Sequence, residues 1–72
     1  MSYRPIVMST TIQADPAGAF AELLKTFRKH RGDRAAVAAA YDVDPNTVRR
    51  WVKRLAARGH DLQPAIDGMI RG

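Results

Sequence analysis

The sequence predicts an all-α domain, a small bundle of three to four helices that follows an extended N-terminal segment. Three observations predict this class. Apolar residues recur at the spacing of one helix face in two stretches of the chain. Two Asp-Pro pairs supply an N-cap residue followed by a proline at the first helical position. The residues before them are instead rich in β-branched side chains, which favour extended backbone. With 72 residues, we expect one domain.

Residues 1–14 form the predicted extended arm. Pro5 blocks a helix that would cross it. The β-branched residues of the arm are Ile6, Val7, Thr10, Thr11 and Ile12. Because one short strand is not stable alone, the arm either pairs with its copy as a dimerisation strand, packs on the helices or stays disordered.

The first helix is predicted over residues 16–31, at the start of a helical domain of residues 15–59. Asp15 is its expected N-cap, and Gly32 supplies the C-terminal stop. Its apolar stripe follows the i, i+3, i+4, i+7 pattern and consists of Phe20, Leu23, Leu24 and Phe27.

Three further helices are predicted in order. Asp33 is a candidate cap for the second helix, residues 34–41, which is mostly alanine. A three-residue connection, residues 42–44, separates the second helix from the third. Asp44-Pro45 begins the third helix, which is predicted over residues 45–58 and stops at Gly59. Pro64 opens a short fourth helix, residues 64–70, within the C-terminal tail of residues 60–72.

The second and third predicted helices make a helix-turn-helix outline over residues 33–58. The residues at its inward positions, which are predicted to form the core of the motif, are Ala38, Tyr41, Val43, Val48, Trp51, Val52 and Leu55. At about 100° per residue, the opposite face of the third helix consists of Asn46, Arg49, Arg50 and Lys53. We therefore expect one side of this helix in a core and the other facing a groove.

Positive charge is concentrated in the middle of the chain. Residues 25–58 hold ten Lys/Arg and three Asp, a net charge of +7, whereas the remainder carries −2. A polyanion is the natural partner, because neutralised phosphates release counterions, and the alternative is a solvated basic surface. Four cations of the first helix form either a second phosphate-contacting strip or an ordinary polar face: Lys25, Arg28, Lys29 and Arg31.

The stretch from Gly32 to Gly59 resembles the helix-turn-helix of the Fis type; it has the sequence GDRAAVAAAYDVDPNTVRRWVKRLAARG. This type occurs in the factor for inversion stimulation, in NtrC-like activators and in small bacterial and phage regulators. The resemblance covers about 28 of 72 residues and is carried by residues 34–36, Val43 and residues 46–52. Asp42 stands where the turn usually has glycine, and aspartate tolerates the left-handed conformation. Thirteen residues follow Gly59, so the tail is a candidate dimerisation or packing element.

The resemblance implies sequence-specific binding of double-stranded DNA, with the third helix in the major groove. Of the matching exposed positions, those expected to read bases are Asn46, Arg49 and Arg50, because Arg pairs with guanine and Asn with adenine. The side chains expected to contact phosphates in or beside the groove are Arg34, Thr47, Lys53, Arg54 and Arg58.

We therefore expect a small bacterial or phage transcription regulator, in its simplest form a repressor, that binds DNA as a homodimer in the nucleoid of the cytoplasm. Two copies place their recognition helices about 34 Å apart on successive turns of the major groove. One alternative is a nucleoid-associated or recombination-type factor that bends DNA with little sequence specificity. Another is a phage protein-interaction adaptor whose basic face docks on an acidic protein, and a third is a membrane-surface peptide.

Other chemistries are not expected. The chain has no cysteine, and neither His30 nor His60 has a partner at metal-ligand spacing, so we expect no disulfide, metal or other cofactor. No nucleophile, base and orienting group can be assembled, which disfavours an enzyme, and no small-molecule ligand is evident. No apolar run approaches the roughly 20 residues of a membrane span, and no secretory signal follows Arg4.

Overall fold

The chain folds into five helices joined by short connections. The computed structural model describes the backbone of residues 5–71 and the side chains of residues 8–71. The helices are α1 (Pro5–Ala14), α2 (Pro16–Lys29), α3 (Arg34–Tyr41), α4 (Pro45–Ala57) and α5 (Gln63–Arg71). The described part of the chain is thus all helical, as predicted, with one helix more than the largest predicted number.

The prediction of an extended N-terminal segment is wrong for residues 5–14, which form α1; residues 1–4 lie outside the described residues. Met8 and Ile12, one helical turn apart, are fully buried, and α1 packs on α2 and α4. Burying each of these side chains contributes roughly 1.5–3 kcal/mol, whereas helix propensities differ by at most about 0.7 kcal/mol per ordinary residue. Burial therefore outweighs the β-branched composition. Pro5 is the first residue of α1, so it interrupts no helix.

Aspartate side chains cap α2, α3 and α4, and a fourth aspartate accepts from the first amide of α5. Their carboxylates accept hydrogen bonds from backbone amides in the first turn, at Gly18, Ala35, Asn46 and Gln63. The N-cap residues are Asp15, Asp33 and Asp44, the fourth aspartate is Asp61, and the N···O distances of these bonds are 2.8–3.1 Å. The observed starts of α2, α3 and α4 match the prediction, while α2 ends two residues earlier, α4 ends one earlier and α5 is one residue longer at each end.

One apolar core joins all five helices, and among the described residues no polar or charged side chain is buried in it. Trp51 is a nearly fully buried member of it, with its ring edge-on to Tyr41 at a centroid distance of 5.5 Å. The hydroxyl of Tyr41 lies 2.9 Å from that of Thr26 on α2, within hydrogen-bonding distance. This bond ties α3 to α2 at the edge of the core.

The connection between α2 and α3 approaches α5 closely at Gly32. This glycine has a φ of +83°, and a Cβ atom added to it would lie 3.1 Å from Ile70 Cγ1 and 3.2 Å from both the Ile66 carbonyl oxygen and Met69 Cβ. A side chain here would thus be strained by the backbone conformation and would press on the backbone of α5. Gly32 therefore determines how closely α5 can pack on the helical domain.

Gly59 provides a control for this contact, because its φ is +85° but a Cβ atom added to it would have no neighbour within 4 Å. We expect Gly59→Ala to cost about 1–2 kcal/mol through its φ alone. Gly32→Ala should cost about 1–3 kcal/mol more, because α5 must also shift. Urea denaturation of both variants measures the difference, and equal losses would contradict the close contact between this connection and α5.

Candidate nucleic-acid interface

The candidate interface is built on α3, α4 and the three residues between them. Asp42 follows α3 with φ 57° and ψ 47°, the left-handed conformation that aspartate tolerates. Its amide donates to Ala39, and the next amide, of Val43, donates to Ala38 at 2.9 Å. Asp44 then returns to extended backbone and caps α4. The reversal of the chain is therefore closed by backbone hydrogen bonds and by the capping carboxylate.

The buried face of α4 and its neighbours on α3 match the predicted core of the motif. Buried members are Ala38, Tyr41, Val48, Trp51, Val52 and Leu55, and Val43 is half-buried against them. Trp51 is only 2% exposed, so its ring is not a platform on which a base could stack. The apolar face instead fixes the rotation of α4 about its own axis.

Four polar side chains lie on the other side of α4: Asn46, Arg49, Arg50 and Lys53. All four are exposed, and together they line one shallow depression of about 320 Å³. We call this surface the α4 basic face. The structure therefore brings together the three predicted base-reading residues and Lys53, as the helical period predicted.

The remaining predicted phosphate contacts are distributed around this face. Arg54 and Arg58 are exposed towards the C-terminal end of α4, and Thr47 is half-buried in its first turn. Arg34, half-buried at the start of α3, lines a second cavity of about 450 Å³ together with Arg49 and Lys53. This cavity shares two residues with the α4 basic face, so the two form one continuous basic surface.

Sequence reasoning missed one residue of this surface, Gln63 of α5, which also lines the second cavity. The nearby helix start was visible in the sequence at Pro64. What the sequence did not reveal is that Leu62 and Ile66 are buried, which holds the N-terminal turn of α5 beside Arg34 and Lys53.

Five of the six aspartates are engaged with other groups, and the sixth, Asp42, lies in the turn between α3 and α4. Four of them accept from first-turn amides, as described above, and Asp67 accepts a hydrogen bond of 2.9 Å from the Gln63 side chain. Helix capping places negative charge beside the N-terminal ends of the helices rather than on the α4 basic face. The charge of that face is therefore available to an external anion.

The cations of α2 are exposed, which fits both predictions for them, a second phosphate-contacting strip and an ordinary polar face. Arg31 has a positive φ of 55° and lines a separate cavity of about 600 Å³ between the Gly32 connection and α5.

Within residues 5–71, no cluster of three or more His, Asp or Glu could hold a metal ion. No helix in this range is long and apolar enough to cross a membrane.

Comparison of the chain with family models, with curated proteins and with solved structures finds no match in any of the three. A function for the chain is therefore inferred from the chemistry and geometry of the α4 basic face. The resemblance to Fis-type proteins stays a prediction.

The left-handed residue of the turn can be tested by a pair of substitutions at Asp42. Asp42→Gly and Asp42→Ala remove the same carboxylate, but only alanine has a Cβ atom that opposes a φ of 57°. We expect the glycine variant to be more stable than the alanine variant by about 1 kcal/mol in urea denaturation. Equal stabilities, or a more stable alanine variant, would show that Asp42 does not adopt this conformation.

Proposed function

We propose that this protein binds double-stranded DNA sequence-specifically as a homodimer, with α3 and α4 acting as a helix-turn-helix and α4 entering the major groove. The observation that carries the proposal is the α4 basic face. Its four side chains are exposed and share one depression, while the opposite side of the same helix is fixed in the core. An amphipathic helix with a buried apolar face and a cationic, hydrogen-bonding outer face suits the major groove.

The chemistry of the α4 basic face matches the edges of base pairs. An arginine donates two parallel hydrogen bonds to the O6 and N7 atoms of guanine, and an asparagine pairs with the N6 and N7 atoms of adenine. Arg49, Arg50 and Asn46 supply these groups within two turns of one helix. Such contacts distinguish sequences, because each good bidentate pair contributes about 1–3 kcal/mol of discrimination.

Phosphate contacts complete the proposed interface. Lys53, Arg54 and Arg58 are exposed along α4 and at its C-terminal end, and Arg34 of α3 lies beside Lys53. Contacts of this kind fix the register of a protein on the duplex without reading its sequence. They also make affinity depend steeply on salt concentration.

A homodimer is proposed because one recognition helix reads few base pairs, and two copies spaced by about 34 Å read two half-sites. With α1 packed into the core, the best candidate interface is the face of α5 that borders the Gly32 connection. Ile70 there is 66% exposed, and Met69 beside it is half-buried. The simplest effect of such a dimer, once bound, is to block access to a promoter. We therefore propose that the protein is a repressor.

A second candidate function is DNA bending with little sequence preference, as in nucleoid-associated or recombination factors. The exposed cations on α2 favour it, because phosphate contacts outside the groove serve wrapping better than reading. Competition with bulk duplex DNA separates the two functions. A ratio of specific to non-specific affinity near one supports bending, and a ratio of about 10³ or more supports a regulator.

The proposal assigns different consequences to two substitutions on the same helix face. Arg50→Ala should weaken binding to the preferred site by about 1–3 kcal/mol and relax specificity at one base-pair position. Lys53→Ala should weaken binding to all duplexes alike and reduce the slope of log K against log salt by about 1. Fluorescence anisotropy with preferred and scrambled duplexes over a salt series measures both effects.

Arg71→Ala is the matched control, because it removes one exposed cation at the last residue of α5, the end remote from the α4 basic face. Arg71 adjoins Ile70 of the proposed dimer interface, so analytical ultracentrifugation checks that this variant still dimerises. Arg71→Ala should leave specificity unchanged and alter affinity less than either test variant. If all three variants lose the same affinity on both duplexes, α4 does not read sequence.

A further inference from the structure

The cavity between α3, α4 and α5 is lined by three cations and one amide but by no carboxylate. Its side chains are Arg34, Arg49, Val52, Lys53 and Gln63, and its volume is about 450 Å³. Three cations around one cavity repel one another unless an anion enters it. We propose that this cavity binds a phosphate group of the DNA backbone and that Gln63 of α5 is one of its ligands. This inference rests on the proposed DNA-binding function and extends it to a helix outside the helix-turn-helix.

The environment of Arg34 indicates an anionic ligand. Its Nε atom is shielded from water and has no hydrogen-bond partner among the described residues. An unpaired buried donor costs a folded protein about 1–3 kcal/mol, so such groups call for a structural or functional explanation. A phosphate that binds along one edge of the guanidinium accepts hydrogen bonds from Nε and from a terminal nitrogen together. A phosphate that enters the cavity reaches the Nε atom only after a rotation of the Arg34 side chain, because this atom is closed to water in the present conformation.

Gln63 is held in position to act as a neutral donor. Its backbone amide donates to Asp61 at 3.0 Å, and its side-chain nitrogen donates to Asp67 Oδ1 at 2.9 Å. An amide nitrogen carries two hydrogens, so the bond to Asp67 leaves one for a ligand. The half-buried side chain is thus oriented before any ligand arrives, which lowers the entropy lost on binding.

The donors of this site are side chains rather than the free amides of a helix N-terminus. Asp33 takes the amides of Ala35 and Ala36 at 3.1 and 3.4 Å, and Asp61 takes that of Gln63. Because Gln63 belongs to α5 and the other donors to α3 and α4, the site exists only while α5 stays packed on the bundle. Burial of Leu62 and Ile66, together with the close contact at Gly32, supplies that packing.

The position of the cavity identifies the source of the phosphate. Arg49 and Lys53 line both this cavity and the α4 basic face. With the α4 basic face in the major groove, the cavity lies towards the edge of the groove, where the phosphates of the duplex run. We therefore assign the ligand as a phosphodiester of the bound DNA.

The test introduces a charge at Gln63. Gln63→Glu places a carboxylate in the cavity and should weaken binding to every duplex about tenfold, with the slope of log K against log salt reduced by about 0.9. Gln63→Lys should strengthen binding and steepen the slope by a similar amount. Gln13→Glu is the matched control, because Gln13 is exposed on α1 and its substitution makes the same change in net charge. It should change affinity less than threefold.

Stability and the source of the phosphate are tested in parallel. Thermal unfolding checks that Gln63→Glu stays folded, since it sets two carboxylates one helical turn apart; the lysine variant avoids this repulsion. Duplexes carrying one neutral methylphosphonate linkage locate the phosphate. One position in each half-site should weaken the wild type, and the same duplex should cause no further loss in Gln63→Glu.

The outcomes separate this inference from the proposed function. If the wild type binds no duplex, both fail. If the wild type binds but Gln63→Glu and Gln63→Lys behave as Gln13→Glu does, only the inference fails. Inorganic phosphate that shifts the NMR signals of Arg34 Nε and the Gln63 side chain, with DNA affinity unchanged in both variants, would overturn the assignment to DNA.

Discussion

The candidate interface depends on the burial of one face of α4. Val48 and Leu55 are fully buried and Trp51 nearly so, and each contributes roughly 1.5–3 kcal/mol by leaving water. Half a turn of rotation about the helix axis would expose them and bring arginine and lysine into an apolar core, where an unpaired charge is costly. The energetics of the core therefore select the side of α4 that faces solvent. The side chains of the α4 basic face, Arg49 and Arg50 among them, therefore face solvent together, because the apolar side of the helix must stay in the core.

Local signals in the sequence predicted most of the helix boundaries. An aspartate followed by proline begins both α2 and α4, and Asp33 caps α3, because these side chains satisfy amides that the first turn leaves free. The same kind of argument failed for residues 5–14. There the β-branched composition indicated extended backbone, but Met8 and Ile12 bury on α2 and α4. Propensity is a local quantity, and the surface available for burial is not visible in a short window of sequence.

The candidate site likewise has one part that the sequence predicted and one part that depends on tertiary packing. Asn46, Arg49, Arg50 and Lys53 belong to one helix, so the helical period alone predicted that they share a face. The cavity that joins Arg34 to Gln63 brings together side chains nearly thirty positions apart. Their proximity follows from the packing of α5, which depends on the close approach at Gly32 and on the burial of Leu62 and Ile66. No periodicity encodes such a contact.

The central claim is that the α4 basic face reads DNA sequence in a symmetric pair of copies. Selection of bound duplexes from a random library, followed by sequencing, tests it most directly. The account predicts enrichment of a short motif in inverted repeat, with half-site centres about 10 base pairs apart. Bound duplexes whose sequences match the composition of the input library would contradict it, because phosphate contacts alone would then explain the binding.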